Sequence, residues 1–199
     1  MADIQSIAVF CGSSPGRGEA YLAVADQVGK ALAERGIRLV YGGGSVGLMG
    51  RCADACLAAG GEVIGVITQD LNDLEVGHTG CTQLDIVDTM AERKDRMAEL
   101  SDGFISLPGG VGTMDEMFEM ITWTQLDIHN KPNALLNVDG YYDQLISFME
   151  RVVADRFLLT EHYQMILQST SVGDLLDQMA AYEPKPVEKW VDRQTSGEG

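Results

Sequence analysis

With 199 residues, 45% of them hydrophobic and 22% charged, the chain has room for one sizeable core and the composition of an ordinary globular domain; two domains would be cramped. Its formal charge of −16 argues against nucleic acid or an anionic membrane surface as a partner, and an anionic small ligand would need a local basic patch and aimed backbone N–H groups. Cys11, Cys52, Cys56 and Cys81 form no C-x-x-C pair, and with His78, His129 and His162 they show no metal-ligand spacing, so the expectation is free thiols in a reducing compartment and no metal.

In chain order, residues 6–11 (SIAVFC) read as a buried strand running into Gly12-Ser13-Ser14-Pro15-Gly16. Residues 19–35 are Ala-rich with helical spacing and stop at Gly36. A second strand at 38–41 (RLVY) enters Gly42-Gly43-Gly44-Ser45-Val46-Gly47, followed by a helix over 48–59 and a third strand at 62–67 (EVIGVI). Residues 68–81 are polar and irregular, 83–87 form a short strand and 91–100 a charged helix. The strand 103–107 (GFISL) leads into Pro108-Gly109-Gly110-Val111-Gly112-Thr113, a helix spans 114–128, a strand 133–138, and helices 142–155 and 173–181. One domain over 1–182 and a fraying tail over 183–199 follow from the composition. No basic segment precedes a long apolar one and no apolar run is long enough to span a bilayer, so the expected location is the cytoplasm.

Strand–helix alternation with unbroken apolar strands predicts a parallel sheet covered on both faces, the doubly wound α/β class. In that class ligands sit beyond the carboxyl ends of the strands, where the three glycine-rich stretches after Cys11, Tyr41 and Leu107 gather. Small residues such as Gly12, Ser13, Gly43 and Gly44 let a ligand approach the backbone there.

The stretch 108–116 (PGGVGTMDE) carries the strongest chemical signal. A strand, a glycine loop and a helix start present unpaired N–H groups at the positive end of a helix, which suits a phosphate. No lysine follows the last glycine, so it is not a Walker loop. Glu116 has two readings: a carboxylate for chemistry, or the reciprocal partner of Thr113 in a capping box, which the spacing alone favours. Gly42 to Gly47 matches G-x-G-x-x-G with Asp70 downstream, but it follows the second strand, so it reads as a phosphate- or ribose-facing loop before it reads as a dinucleotide site. Arg93, Lys94 and Arg96 form a basic knot, either solvated beside Glu92 and Glu99 or holding an anion. Met114, Met117, Phe118, Met120, Ile121 and Trp123 suit core, subunit interface or an apolar pocket wall.

These residues resemble the Lonely Guy (LOG) family, cytokinin riboside 5′-monophosphate phosphoribohydrolases once mislabelled lysine decarboxylases. The likeness rests on Arg93-Lys94 with Pro108-Gly109-Gly110-x-Gly112-Thr113-x-x-Glu116. The blocks Val9 to Ser14, Tyr41 to Gly44, Leu48-Met49-Gly50, Ile121 to His129 and Leu136 to Tyr142 extend it over most of the chain. The segment 68–89 departs from the family's usual pattern, and Val111 stands where plant members commonly carry an aromatic residue. The resemblance implies a Rossmann-like fold, no metal or other cofactor, and a homodimer with a shared active site. It also implies a catalytic pair, Arg93 and Glu116, and substrate contacts from Glu75, Arg93, Lys94, the run Gly110, Val111, Gly112, Thr113, Met114, Asp115 and Glu116, and Thr122. The substrate would be a nucleoside 5′-monophosphate, AMP or an N6-modified AMP, with Gly109 to Thr113 holding its phosphate. The competing readings are a non-catalytic nucleotide or molybdenum-cofactor carrier, whose members share the fold by resemblance, and an NAD-dependent oxidoreductase using Gly42 to Gly47.

Overall fold

The structure is a computed structural model that describes residues 4–184, with only the backbone at 75 and 76. In chain order the elements are β1 Ser6–Phe10, α1 Glu19–Glu34, β2 Arg38–Tyr41, α2 Gly47–Ala58, β3 Val63–Thr68, α3 Gln69–Leu71, a π-helical turn Asn72–Val76, β4 Gln83–Val87, α4 Met90–Glu99, β5 Gly103–Ser106, α5 Val111–Gln125, β6 Asn133–Leu136, α6 Asp143–Ala154, α7 Thr160–Tyr163, β7 Ile166–Ser169 and α8 Val172–Ala180. The strands form one seven-stranded sheet in the order β4-β3-β2-β1-β5-β6-β7. Every pairing is parallel. This is the expected doubly wound, Rossmann-like architecture.

The unbroken apolar strands are explained by helices on both sides of the sheet. Ile7, Val9, Leu39, Tyr41, Ile105 and Leu107 pack with the apolar faces of α1, α2 and α8. Their neighbours one residue along, Ala8, Phe10, Val40 and Phe104, pack with Met97 and Ala98 of α4 and Met120 of α5. Fully burying one such Leu, Ile or Phe contributes about 1.5–3 kcal/mol, so a strand core apolar on both faces stabilises more than an alternating one. Cys52 and Cys56 are both buried on α2. There α1 approaches so closely that a Cβ on Gly29 would lie 2.1 Å from the Cys52 carbonyl oxygen.

Boundaries fall within a residue or two of expectation except in three places. Helix α5 spans Val111–Gln125, three residues earlier than expected at both ends, with Gly110 at its N-cap and Gly112 in its first turn. The segment 68–81 is not wholly irregular, since it holds α3 and the π-helical turn. The elements α7 and β7 were not expected; β7 is a half-buried edge strand of four residues whose signal is only Ile166-Leu167. The expected tail lies, from residue 185 onward, outside the described residues.

Strand order reverses at β1, which has β2 on one side and β5 on the other. The loops leaving these strands therefore meet at one sheet edge, the place where doubly wound folds bind ligands. Gly12 N donates to Pro108 O at 3.1 Å, and Leu48 N donates to Gly12 O at 3.0 Å. All three glycine-rich stretches are thus laced together.

Candidate active site

The laced loops enclose a cleft of about 520 Å³. The β1 loop contributes Cys11, Gly12 and Ser13; the β2 loop and α2 contribute Gly42, Gly44, Val46 and Met49. Gly110, Val111, Gly112, Thr113 and Glu116 come from α5 and its cap, Arg93 from α4, and Ile67 and Leu71 close the remaining side.

Arg93 and Glu116 meet on the floor of the cleft. Arg93 is 6% exposed and Glu116 7%. The guanidinium donates from Nη1 to Glu116 Oε1 at 2.8 Å, from Nε to Val66 O at 2.9 Å and from Nη2 to Gly42 O at 3.1 Å. One rigid fork therefore ties β3, the β2 loop and α5 together, a task for which a lysine's point charge is unsuited. Burial pushes the Glu116 carboxyl above its ordinary value of 4.5, and the charge of Arg93 pulls back against that rise. A buried ion pair is weak evidence for stability, because desolvation offsets its attraction. In a cleft, a carboxylate shifted by burial and a named partner is evidence for function.

The capping-box reading of Glu116 is corrected by the position of the helix start. The N-cap of α5 is Gly110, which makes no side-chain cap bond, and Thr113 and Glu116 are already inside the helix. A capping box is present on α4, between Thr89 and Glu92. It fixes the first turn of the helix that carries Arg93. The uncapped start of α5 leaves its first N–H groups without intrahelical acceptors, and the residues there, Gly110 to Thr113, line the cleft.

The G-x-G-x-x-G match has an internal explanation. A Cβ on Gly42 would lie 1.8 Å from Arg93 Nη2, and one on Gly47, at φ +64, would lie 2.3 Å from the Ser13 carbonyl carbon. Gly42 and Gly47 are therefore required by a guanidinium and a neighbouring loop, so packing alone accounts for these two glycines of the match. The segment after β3 is pinned to the same loop. His78 N donates to Gly43 O at 2.8 Å, Gly44 bridges to Gly77, and the Tyr41 hydroxyl meets His78 Nδ1 at 2.9 Å. That docking brings Leu71 to the cleft.

The other expected residues divide by position. Gly43 is buried against Ile67 and Leu84, and Gly109 is half-buried against Gly12 and Thr113 at the edge of the cleft lining. Met114, Asp115 and Thr122 do not line the cleft but an open depression of about 470 Å³ along α5, with Val111, Phe118 and Trp123. Lys94 is engaged with Asp115 Oδ2 at 3.0 Å and Glu119 Oε2 at 3.1 Å. Arg96 pairs with Asp85 and Glu99 near the surface, so the basic knot splits into one buried cation and two peripheral ones. Glu75 belongs to the π-helical turn, and its side chain lies outside what is described. The apolar lining by Val46, Ile67 and Leu71 was missed. Its only sequence signal is adjacency to glycine motifs and strand ends.

A family model described as "Possible lysine decarboxylase" matches residues 49–179. A rice protein (Oryza sativa subsp. japonica) named "Probable cytokinin riboside 5'-monophosphate phosphoribohydrolase LOGL5" is 46% identical over 180 residues, 90% of this chain and 73% of its own length. A Rhodococcoides fascians protein named "Cytokinin riboside 5'-monophosphate phosphoribohydrolase" is 49% identical over 155 residues, 77% of this chain and 78% of its own. Among solved structures, the molybdenum cofactor binding protein of Rippkaea orientalis superposes with a TM-score of 0.69 at 20% identity, covering 91% of this chain and 98% of that one. The latter shares the fold alone. With its glycine loops, its Arg93–Glu116 pair and these identities over most of its length, the chain belongs to the LOG family.

Proposed function

We propose that the protein hydrolyses the N-glycosidic bond of a cytokinin-type nucleoside 5′-monophosphate, releasing free base and ribose 5-phosphate. The observation that carries this is the buried Arg93–Glu116 pair beneath the uncapped start of α5 in one cleft. The 5′-phosphate sits on the N–H groups of Gly109 to Thr113, and its binding energy is remote from the bond being broken. Cleavage of the base–ribose bond develops positive charge on the sugar. Glu116 stabilises that charge and takes a proton from the attacking water. Arg93, whose three nitrogens are engaged by Glu116, Val66 and Gly42, aims the carboxylate and favours its ionised form. The apolar wall of Val46, Met49, Ile67 and Leu71 suits a base with an apolar substituent.

Of the finer assignments, Met114, Asp115 and Thr122, which line the depression along α5 outside the cleft, and Lys94 of α4, which pairs with Asp115, fit a site completed by a second subunit. A homodimer with a shared active site, a single catalytic domain over 1–182 and a cytoplasmic location belong to this proposal. No helix among the described residues is long and apolar enough to cross a membrane.

The carrier reading is not favoured, since relatives at 46% and 49% identity carry phosphoribohydrolase names while the molybdenum-cofactor proteins share only the fold. A decarboxylase using pyridoxal chemistry needs a Schiff-base lysine, and no lysine is among the described residues lining the cleft. The deciding measurement is release of base and ribose 5-phosphate from AMP and from isopentenyladenosine monophosphate, with the nucleosides as controls. Release that depends on the 5′-phosphate is expected; nucleotide binding without release would restore the carrier reading.

A further inference from the structure

Three successive carbonyls on the way into the glycine loop each have a dedicated donor. Leu107 O accepts from the Tyr142 hydroxyl at 2.6 Å. Pro108 O accepts from Gly12 N at 3.1 Å. Gly109 O accepts from the Tyr141 hydroxyl. The two tyrosines arrive from the tight turn between β6 and α6. Asp139 and Gly140 both adopt positive φ there, 49° and 71°. Asn137 Oδ1 accepts from Tyr142 N at 2.8 Å, and Asn137 Nδ2 donates to Asp143 Oδ1 at 2.7 Å. The turn is thus a rigid bracket that presents two phenols to one loop. Tyr142 is fully buried, whereas Tyr141 is 39% exposed at the rim.

A peptide unit is planar and trans, so fixing one carbonyl fixes the following N–H in the opposite direction. The Gly12 bond orients the N–H of Gly109, and the Tyr141 bond orients the N–H of Gly110. Gly110 lines the cleft. Glycines rotate freely, so without such anchors this loop would sample several orientations of its N–H groups and pay the ordering cost on binding. We infer that Tyr141 is a positioning residue that pre-orients the glycine loop for the 5′-phosphate, with Tyr142 anchoring the loop's root at Leu107. This inference rests on the reading of that loop as the phosphate site.

The test compares Tyr141→Phe with the wild-type protein, because phenylalanine keeps the ring contacts with Tyr21 and Tyr142 and deletes only the hydroxyl. The readouts are the Kd for ribose 5-phosphate by calorimetry and the KM and kcat for isopentenyladenosine monophosphate. Loss of one orienting hydrogen bond is expected to raise Kd and KM together by about three- to tenfold with kcat changed less than about twofold. Tyr142→Phe is expected to raise the same two constants. Should it fail to fold, Tyr141→Phe decides alone. Unchanged Kd and KM in Tyr141→Phe, or an effect that appears only when the ring is removed in Tyr141→Leu, would overturn the inference and leave the phosphate reading intact. A wild-type protein that neither binds ribose 5-phosphate nor releases base would overturn both.

Discussion

At the residue scale the chemistry concentrates on Glu116. It lies 7% exposed against Arg93, and burial holds its carboxyl above 4.5. If the ionised form is the working one, kcat/KM falls on the acid side with an apparent pKa above 4.5, and the Glu116→Gln variant loses that limb. The same variant keeps nucleotide binding, measured by calorimetry, while turnover drops by about a hundredfold or more. Normal turnover in Glu116→Gln would remove the carboxylate from the mechanism. The raised value has a stability consequence of fixed sign. The folded state holds this proton more tightly than the unfolded chain, so the contribution favours the fold at low pH and is lost as pH rises through the folded pKa.

At the element scale, glycines and caps decide how the helices deliver their side chains. Gly42 leaves no room for a methyl group beside Arg93 Nη2, the separation being 1.8 Å. Gly42→Ala is therefore expected to displace the guanidinium and unpair a buried carboxylate. Activity should fall by about a hundredfold or more, and the fold should lose about 3 kcal/mol in urea titration, the scale of a broken buried pair. Activity and a urea midpoint matching the wild type would show that Arg93 is not held as described. Helix α4 is set by the Thr89–Glu92 capping box. Thr89→Ala should cost about 1 kcal/mol of stability by the same titration, as the loss of an N-cap does. No such cap exists at Thr113, although Thr113-x-x-Glu116 carries the same spacing. The spacing suggests a box at Thr113, whereas the structure forms one at Thr89. Only the three-dimensional start of each helix distinguished them, because a capping box requires its Thr at the N-cap and Thr113 sits inside the helix.

At the scale of the whole molecule, pH acts through a second group far from the cleft. His129 packs against Phe104 and Trp123, with Nδ1 accepting from Lys131 N at 3.3 Å. Burial and then the Lys131 charge push its pKa down to about 4. The unfolded chain protonates this ring at ordinary values near 6.5, so the stability it contributes is present above that pH and is lost as pH falls toward 4. The urea midpoint is expected to decline over that interval, and His129→Asn to flatten the decline. An unchanged slope in the variant would locate acid sensitivity elsewhere. This effect opposes that of Glu116 in sign, so the two variants should bend the stability profile in opposite directions.

Much of this protein is legible along the chain because it depends on local chemistry. Unbroken apolar strands between helical segments require a sheet covered on both faces. Glycine-rich turns at the ends of the strands bearing Phe10, Tyr41 and Ser106 mark the edge where a ligand binds. The order of motif blocks was enough to suggest the family. Charge and spacing left open which of the like-charged neighbours Arg93, Lys94 and Arg96 does what, and only the family likeness singled out Arg93. Packing chose Arg93 for the floor of the cleft by supplying three acceptors from distant segments, Val66, Gly42 and Glu116, and left Lys94 and Arg96 to peripheral pairs. The same holds for Gly42, whose need for glycine arises from a side chain 51 positions away, and for Tyr141, whose hydroxyl reaches a carbonyl 32 positions back. Contacts at such separations have no local signature. They exist only once the sheet has brought its strand ends together, and that is why the tertiary structure alone decided them.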